Sequence, residues 1–205
     1  MEKGLVVAIT GQSGCGKSTL SAYYGSKGYK VIDCDVVAKD IRTFPECQQQ
    51  LAEHFGTDII FEGQVDTKLL SMRAFSSEEN LQKLTDITHP FIEREILRQA
   101  EEAFAKGDKL VFVDGAVIIG HRVEKHCDKF IVVVAALETQ CARLMKRDSI
   151  TYQQAETRIL KQTPYSDMLK KADYVINNNK GVQELILQGE LVIRQLEACR
   201  NMVSV

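Results

Sequence analysis

Residues 11–18 read Gly11-Gln12-Ser13-Gly14-Cys15-Gly16-Lys17-Ser18, followed by Thr19. They match G-x-x-x-x-G-K-[ST] at every fixed position. Phosphate oxygens need several backbone N–H donors converging on one point. Only a loop that reaches positive φ without Cβ atoms in the way wraps that tightly. Gly11, Ser13, Gly14, Cys15 and Gly16 would line the cradle, Cys15 through its N–H alone. Lys17 would add a point charge near the β- and γ-phosphates, and a helix opening at Lys17-Ser18-Thr19 would turn its positive end on the same anion. The Ser18 hydroxyl suits Mg²⁺. The expected ligand is a nucleoside triphosphate with its metal ion.

Two carboxylates, Asp33 and Asp35, flank Cys34 at the end of the second apolar run. Either could accept the proton of an attacking hydroxyl or help order Mg²⁺. Aspartate also suits a helix N-cap, so sequence alone leaves the base undecided within this pair. Arg143 and Arg147 lie four apart, on one face of an expected helix. Guanidinium forks there would stabilise charge spread over a transferring phosphoryl group, and a helix covering it would exclude water.

These groups need a scaffold. Apolar, β-branched runs over Leu5–Thr10, Tyr29–Ile32, Leu110–Asp114, Lys129–Ala135 and Tyr174–Asn177 read as buried strands separated by helical patterns. That alternation predicts an α/β fold with a parallel five-stranded sheet flanked by helices. The loop directly follows the first strand. Two long stretches interrupt the rhythm. Residues 36–109, read as almost wholly helical, would form a lobe within a single domain. Residues 139–171, read as two helices with basic faces, would form a lid.

Helix boundaries are expected at a Ser76/Glu79 capping box, at Pro90 as a first helical residue, at Gly107 as a stop, and at a Thr151/Gln154 capping box. Ile92, Ile96, Ala100 and Ala103 make one apolar face. Val182, Leu185, Ile186, Val192, Ile193 and Leu196 make another on the last helix.

The 205 residues carry a formal net charge of −2, which gives no broad basic surface for nucleic acid. No apolar run is long enough to span a membrane, and no secretory signal is visible. Six scattered cysteines without a CxxC pair fit free thiols in a cytoplasmic protein. His121, His126 and Cys127 lie close together but match no common zinc spacing.

Several reactions use this loop. A switch GTPase is disfavoured: no Asp is followed three residues later by Gly, and Asn179-Lys180-Gly181-Val182 lacks the Asp that would read guanine. A motor ATPase would normally be larger. Asp114, ending the "LVFVD" strand, could be its second acid or a structural cap. A small-molecule kinase fits best, with the nucleoside-monophosphate or shikimate type among the alternatives. A non-catalytic nucleotide-binding protein is the reading from another class.

Further residues sharpen the choice. The P-loop is followed in order by Val31-Ile32-Asp33-Cys34-Asp35, Phe55-Gly56, a Glu62-Gly63 turn and His89-Pro90. Gln140-Cys141-Ala142-Arg143, Arg158-Ile159-Leu160-Lys161-Gln162 and Ala172-Asp173-Tyr174-Val175-Ile176-Asn177-Asn178 complete the set. In this order, over nearly the whole chain, the set resembles the dephospho-coenzyme A kinase family.

The resemblance implies a P-loop kinase fold and phosphorylation of the ribose 3′-hydroxyl of dephospho-coenzyme A by ATP. It implies Asp35 as base, Asp33 nearby, Arg143 on the γ-phosphate, Arg147 on the nucleotide and Asn177 beside the adenine. The helical lobe would bind the acceptor, and His89 either positions that acceptor or caps the Pro90 helix. The partners implied are small molecules, with the protein a monomer or weak homo-oligomer. One segment departs: Ala116-Val117-Ile118-Ile119-Gly120 stands where many members carry Pro-Leu-Leu-Phe-Glu.

Overall fold

The computed structural model describes residues 4–203, and side chains through residue 199. In chain order the elements are β1 (Leu5–Thr10), α1 (Lys17–Ser26), β2 (Lys30–Asp33), α2 (Cys34–Asp40), α3 (Pro45–Phe55), β3 (Ile60–Phe61), β4 (Gln64–Val65), α4 (Thr67–Ala74) and α5 (Glu78–Ala105). Then follow β5 (Leu110–Asp114), β6 (Lys129–Val134), α6 (Leu137–Asp148), α7 (Tyr152–Leu160), α8 (Tyr165–Leu169), β7 (Tyr174–Asn177) and α9 (Val182–Val203). They divide into two compact units, one of residues up to Ile32 with those from Glu102 on, the other of Asp33–Glu101.

The first unit carries the parallel sheet, in the order β2-β5-β1-β6-β7. All five strands fall within a residue of the ranges expected from their apolar runs. The central strand β1 pairs with β5 on one side and β6 on the other, Ile9 opposite both Asp114 and Ile131. Val7, Ala8 and Ile9 are wholly buried, as are Val111, Phe112 and Val113. That is why these strands are apolar throughout rather than alternating.

On one face Tyr24 of α1 lies 4.5 Å, ring to ring, from Phe112, and Tyr29 meets Phe112 edge-on at 5.6 Å. The Tyr24 hydroxyl donates to the Gly189 carbonyl of α9 at 3.1 Å, so this buried ring keeps its polar end satisfied. Burying one such ring contributes about 1.5–3 kcal/mol. Leu185, Val192, Ile193 and Leu196 of α9 join this core. Val182, expected with them, is 55 % exposed because it opens the helix beyond the sheet-facing stripe. Ile186 is half-buried.

In the lid stretch three helices form instead of two. Cys141, Leu144, Ala155 and Ile159 close a small core between α6 and α7. The Thr151/Gln154 capping box opens α7 as expected, with both reciprocal bonds made.

The second unit is less purely helical than its composition suggests. β3 and β4 pair antiparallel, Ile60 with Val65, around Glu62 and Gly63. Both turn residues sit at positive φ, 49° and 75°, the primed geometry that matches strand twist. The Asp66 carboxylate then caps α4 at both Lys68 and Leu69 N–H, 2.9 Å each.

Pro90 does not start a helix: α5 runs through it. The ring removes the N–H that would bond four residues back and crowds the carbonyl there, a cost offset as Ile87 and Phe91 bury their side chains on either side of it. Phe91, rather than half-buried Ile92, joins Ile96, Ala100 and Ala103 on the buried face. The cap shifts by one as well: Ser77, not Ser76, accepts the Asn80 N–H at 3.1 Å, and the Ser76 hydroxyl turns back to the Arg73 carbonyl at 2.7 Å. Gly107 stops α5 as expected. Its N–H bonds the Phe104 carbonyl and the Asp108 N–H bonds Ala103, the crossed pair of a Schellman ending.

Candidate active site

β1 leaves the sheet at Thr10, and the chain winds through residues 11–16 into α1. Gly16 sits at φ 108°, and a Cβ there would run into the carboxamide of Asn178. Gly14 sits at φ 78°, where a Cβ would stand 2.7 Å from the Gln140 carbonyl. The glycines are therefore required twice over, by backbone angle and by neighbours closing in from outside the loop. Those neighbours come from the lid stretch and from the end of β7.

Five side chains frame the loop. Gln12 Nε2 donates to the Thr163 carbonyl at 3.1 Å, and Gln162 Oε1 accepts the Ser13 N–H at 2.7 Å. Gln140 Nε2 donates to the Ser13 carbonyl at 2.8 Å. Arg143 Nη1 donates to the Gly14 and Cys15 carbonyls at 3.1 and 3.3 Å, and its Nη2 to the Asn178 carbonyl at 2.8 Å. Asn178 Nδ2 donates to the Cys15 carbonyl at 2.7 Å. Of these five only Arg143 stood among the expected site residues. Gln140 and Gln162 were visible as motif positions. Asn178 is adjacent to Asn177, one step out of phase.

The expected loop residues are placed as follows. Lys17 folds over the loop, its Nζ on the Gly11 carbonyl at 2.9 Å. Ser18 and Thr19 are exposed in the first turn of α1. The Cys15 thiol is wholly buried, and burial chiefly pushes its pKa up, opposed by the nearby Lys17 charge. The Cys15 N–H, expected to point at phosphate, bonds the Gln12 carbonyl at 3.2 Å instead. The Ser13 N–H is taken by Gln162.

Arg147 does not join Arg143 on the loop. Its guanidinium grips Asp148 at 2.7 and 2.9 Å, and Arg158 holds the same carboxylate at 2.7 Å. The hydrogen bond from Arg147 draws the Asp148 pKa below the usual carboxylate value. Asn177 is exposed, and its backbone locks to the Gln188 carboxamide of α9 through two bonds of 2.9 Å. Asp114 ends β5 opposite Ile9, and its charge reaches Cys15. The Asp114 carboxylate and the Ser18 hydroxyl are each hard oxygen donors of the kind Mg²⁺ takes. Among the described residues no group of three His, Cys, Asp or Glu side chains comes together to hold a metal ion, the His121–Cys127 stretch included.

In the second unit, Asp33 and Asp35 separate by role. Asp33 Oδ1 accepts the Asp35 and Val36 N–H groups at 2.8 and 3.2 Å and so caps α2. The Asp35 side chain is exposed, with only its backbone N–H used in that cap. His89 is half-buried within α5, one residue before Pro90.

A parallel sheet whose central strand enters a glycine loop and helix, with an arginine-bearing helix bonded to that loop, defines a P-loop phosphotransferase. The sequence profile of dephospho-CoA kinase matches residues 5–184. A dephospho-CoA kinase from Fusobacterium nucleatum is 35 % identical over 187 residues, covering 91 % of this chain and 95 % of that protein. A crystal structure from Thermus thermophilus superposes with a TM-score of 0.78 at 27 % identity, over 95 % of this chain and 98 % of that one. Dephospho-CoA kinase from Campylobacter jejuni gives 0.71 at 25 % identity, over 93 % and 96 %. The chain belongs to the dephospho-CoA kinase family.

Proposed function

We propose that the chain transfers the γ-phosphoryl group of ATP to the ribose 3′-hydroxyl of dephospho-coenzyme A, giving coenzyme A and ADP. A new O–P bond forms at the 3′-oxygen as the bond between the β-γ bridging oxygen and the γ-phosphorus breaks. The displaced hydroxyl proton passes to Asp35 Oδ. The observation that carries the choice of base is the cap: both residues are exposed, but Asp33 Oδ1 accepts two backbone N–H groups while the Asp35 carboxylate takes no part in the cap.

In this reading Lys17 exchanges the Gly11 carbonyl for phosphate oxygens, and the first turn of α1 holds the rest of the anion. Arg143 lies on the γ-phosphate side of the loop. Arg147 reaches the nucleotide on leaving Asp148, and Asn177 borders the adenine. Asp33 orders α2 beside the acceptor, which His89 helps to position. Ser18 would hold Mg²⁺, whose charge would offset that developing on the phosphates. The substrates are small molecules, and the net charge of −2 supports a protein that does not bind nucleic acid. Six unpaired cysteines suit a reducing, cytoplasmic compartment. A monomer or weak homo-oligomer completes the reading.

The test is ADP release with ATP, Mg²⁺ and dephospho-coenzyme A, AMP, CMP or shikimate as acceptor, with product mass checked for one added phosphate. Turnover should require dephospho-coenzyme A. Asp35→Asn should lower kcat by about 10² or more with ATP affinity kept, whereas Asp33→Asn, which still caps, should lose far less. Wild-type turnover in Asp35→Asn, or preference for another acceptor, overturns the reading.

A further inference from the structure

We infer that Gln140, together with Asn178, is a positioning residue that turns the loop's Gly14 and Gly16 N–H groups toward the nucleotide phosphates. In a trans peptide the carbonyl of one residue and the N–H of the next point to opposite sides of the chain. A side chain that pins a carbonyl on the outside of the loop therefore aims the following N–H inside. Gln140 pins the Ser13 carbonyl, which sets the Gly14 N–H. Asn178 pins the Cys15 carbonyl, which sets the Gly16 N–H. Among the described residues these two N–H groups bond to nothing else. The Ser13 and Cys15 N–H groups between and before them are already taken, by Gln162 and Gln12. The loop thus holds two directed donors, each set by a buried carboxamide from more than a hundred residues away.

Burial argues that the two carboxamides are there for this bond. Gln140 is 1 % exposed on a helix face otherwise filled by Cys141 and Leu144, and Asn178 is 3 % exposed. Asn178 Oδ1 is buried without a partner. An orphan acceptor is costly, and an apolar residue would avoid it. The amide is oriented by its donor, which faces the Cys15 carbonyl. The same carboxamide blocks any Cβ at Gly16, so one side chain enforces both the residue type and the peptide direction.

This rests on the loop being a phosphate site, and the experiment keeps the two apart. Titration calorimetry with Mg·ADP and with inorganic tripolyphosphate, a probe with no base or sugar, is run on wild type and on Gln140→Met. Methionine keeps the length and bulk but removes the donor. The KM for dephospho-coenzyme A and the unfolding temperature without ligand are measured beside it. Both phosphate probes should bind about ten-fold more weakly to the variant, by the same factor, with that KM unchanged. Should Gln140→Met not fold, Asn178→Asp, which puts an acceptor against the Cys15 carbonyl, decides in the same assay with the same expectation. Wild-type affinity in the folded variant, or weakening of ADP without tripolyphosphate, overturns the inference. Weakening of all three substrates and probes alike, with a matching drop in unfolding temperature, shows general loosening and overturns it too. Failure of wild type to bind either probe would overturn the phosphate reading itself.

Discussion

Arg143→Lys separates the loop-framing bonds of one side chain from the phosphate contact proposed for it. The guanidinium reaches three backbone carbonyls: Gly14 at 3.1 Å, Cys15 at 3.3 Å and Asn178 at 2.8 Å. An ammonium keeps the charge but lacks the planar fork, and from the same Cα it can satisfy only one of these positions. The Cys15 contact is long, and that carbonyl also accepts from Asn178, so its loss costs little. What remains is about one hydrogen bond from a charged donor, worth about 1.5–3 kcal/mol. Arg143 is half-buried, so water can replace part of it, and about 1.5–2 kcal/mol is the expected loss. In a chain of this size that lowers the unfolding midpoint by about 3–8 °C. Calorimetry on the protein without nucleotide reads this directly. The catalytic role is read separately: kcat should fall by about 10² as one directed donor leaves the transferring phosphoryl group. An unchanged midpoint would refute the framing role, and a lowered midpoint with wild-type kcat would refute the phosphate role.

Gly16→Ala places a methyl group against the Asn178 carboxamide at a backbone angle of 108°. It should destabilise by about 1–3 kcal/mol and abolish measurable ATP binding in equilibrium dialysis, and retained binding would show that the loop relaxes freely. Stability should also fall in alkali. Burial pushes the Cys47 thiol from 9.0 up to about 11 and the Cys127 thiol up to about 12. The folded protein holds these protons more tightly than the unfolded chain, so their contribution is complete below pH 9 and is lost as the pH rises toward 11–12. Unfolding temperatures at pH 8, 9, 10 and 11 should show that decline, and Cys127→Ala should flatten part of it. A parallel decline in the variant would assign it to other groups.

What could be read in the sequence is what local chemistry dictates. The three inner strands followed from β-branched runs, because β1, β5 and β6 bury both faces and leave few polar residues to blur the pattern, while the half-buried edge strands β2 and β7 kept shorter runs. The loop followed from glycine spacing, because positive φ is a property of single residues. The Thr151 cap and the Gly107 ending rest on contacts within one turn. Failures arose where the deciding partner was distant. Pro90 carries a helix-start signature, but the buried side chains of Ile87 and Phe91 on both sides of it keep α5 continuous. Asn177 and Asn178 are the same residue type in adjacent positions, and the pleat decides between them. Asn178 follows the buried Ile176 by two, so it turns inward to the loop while Asn177 is exposed. Gln140 is legible as a motif position, but its bond to the Ser13 carbonyl, 127 residues away in sequence, is not. Asp33 and Asp35 make the same point in the opposite direction. Sequence offers two equivalent carboxylates, and a purely local bond, Asp33 Oδ1 to the Asp35 N–H at 2.8 Å, removes the equivalence. A carboxylate engaged as a helix cap has an oxygen committed to backbone donors. Asp35, whose carboxylate stays out of the cap, is the one we propose as base.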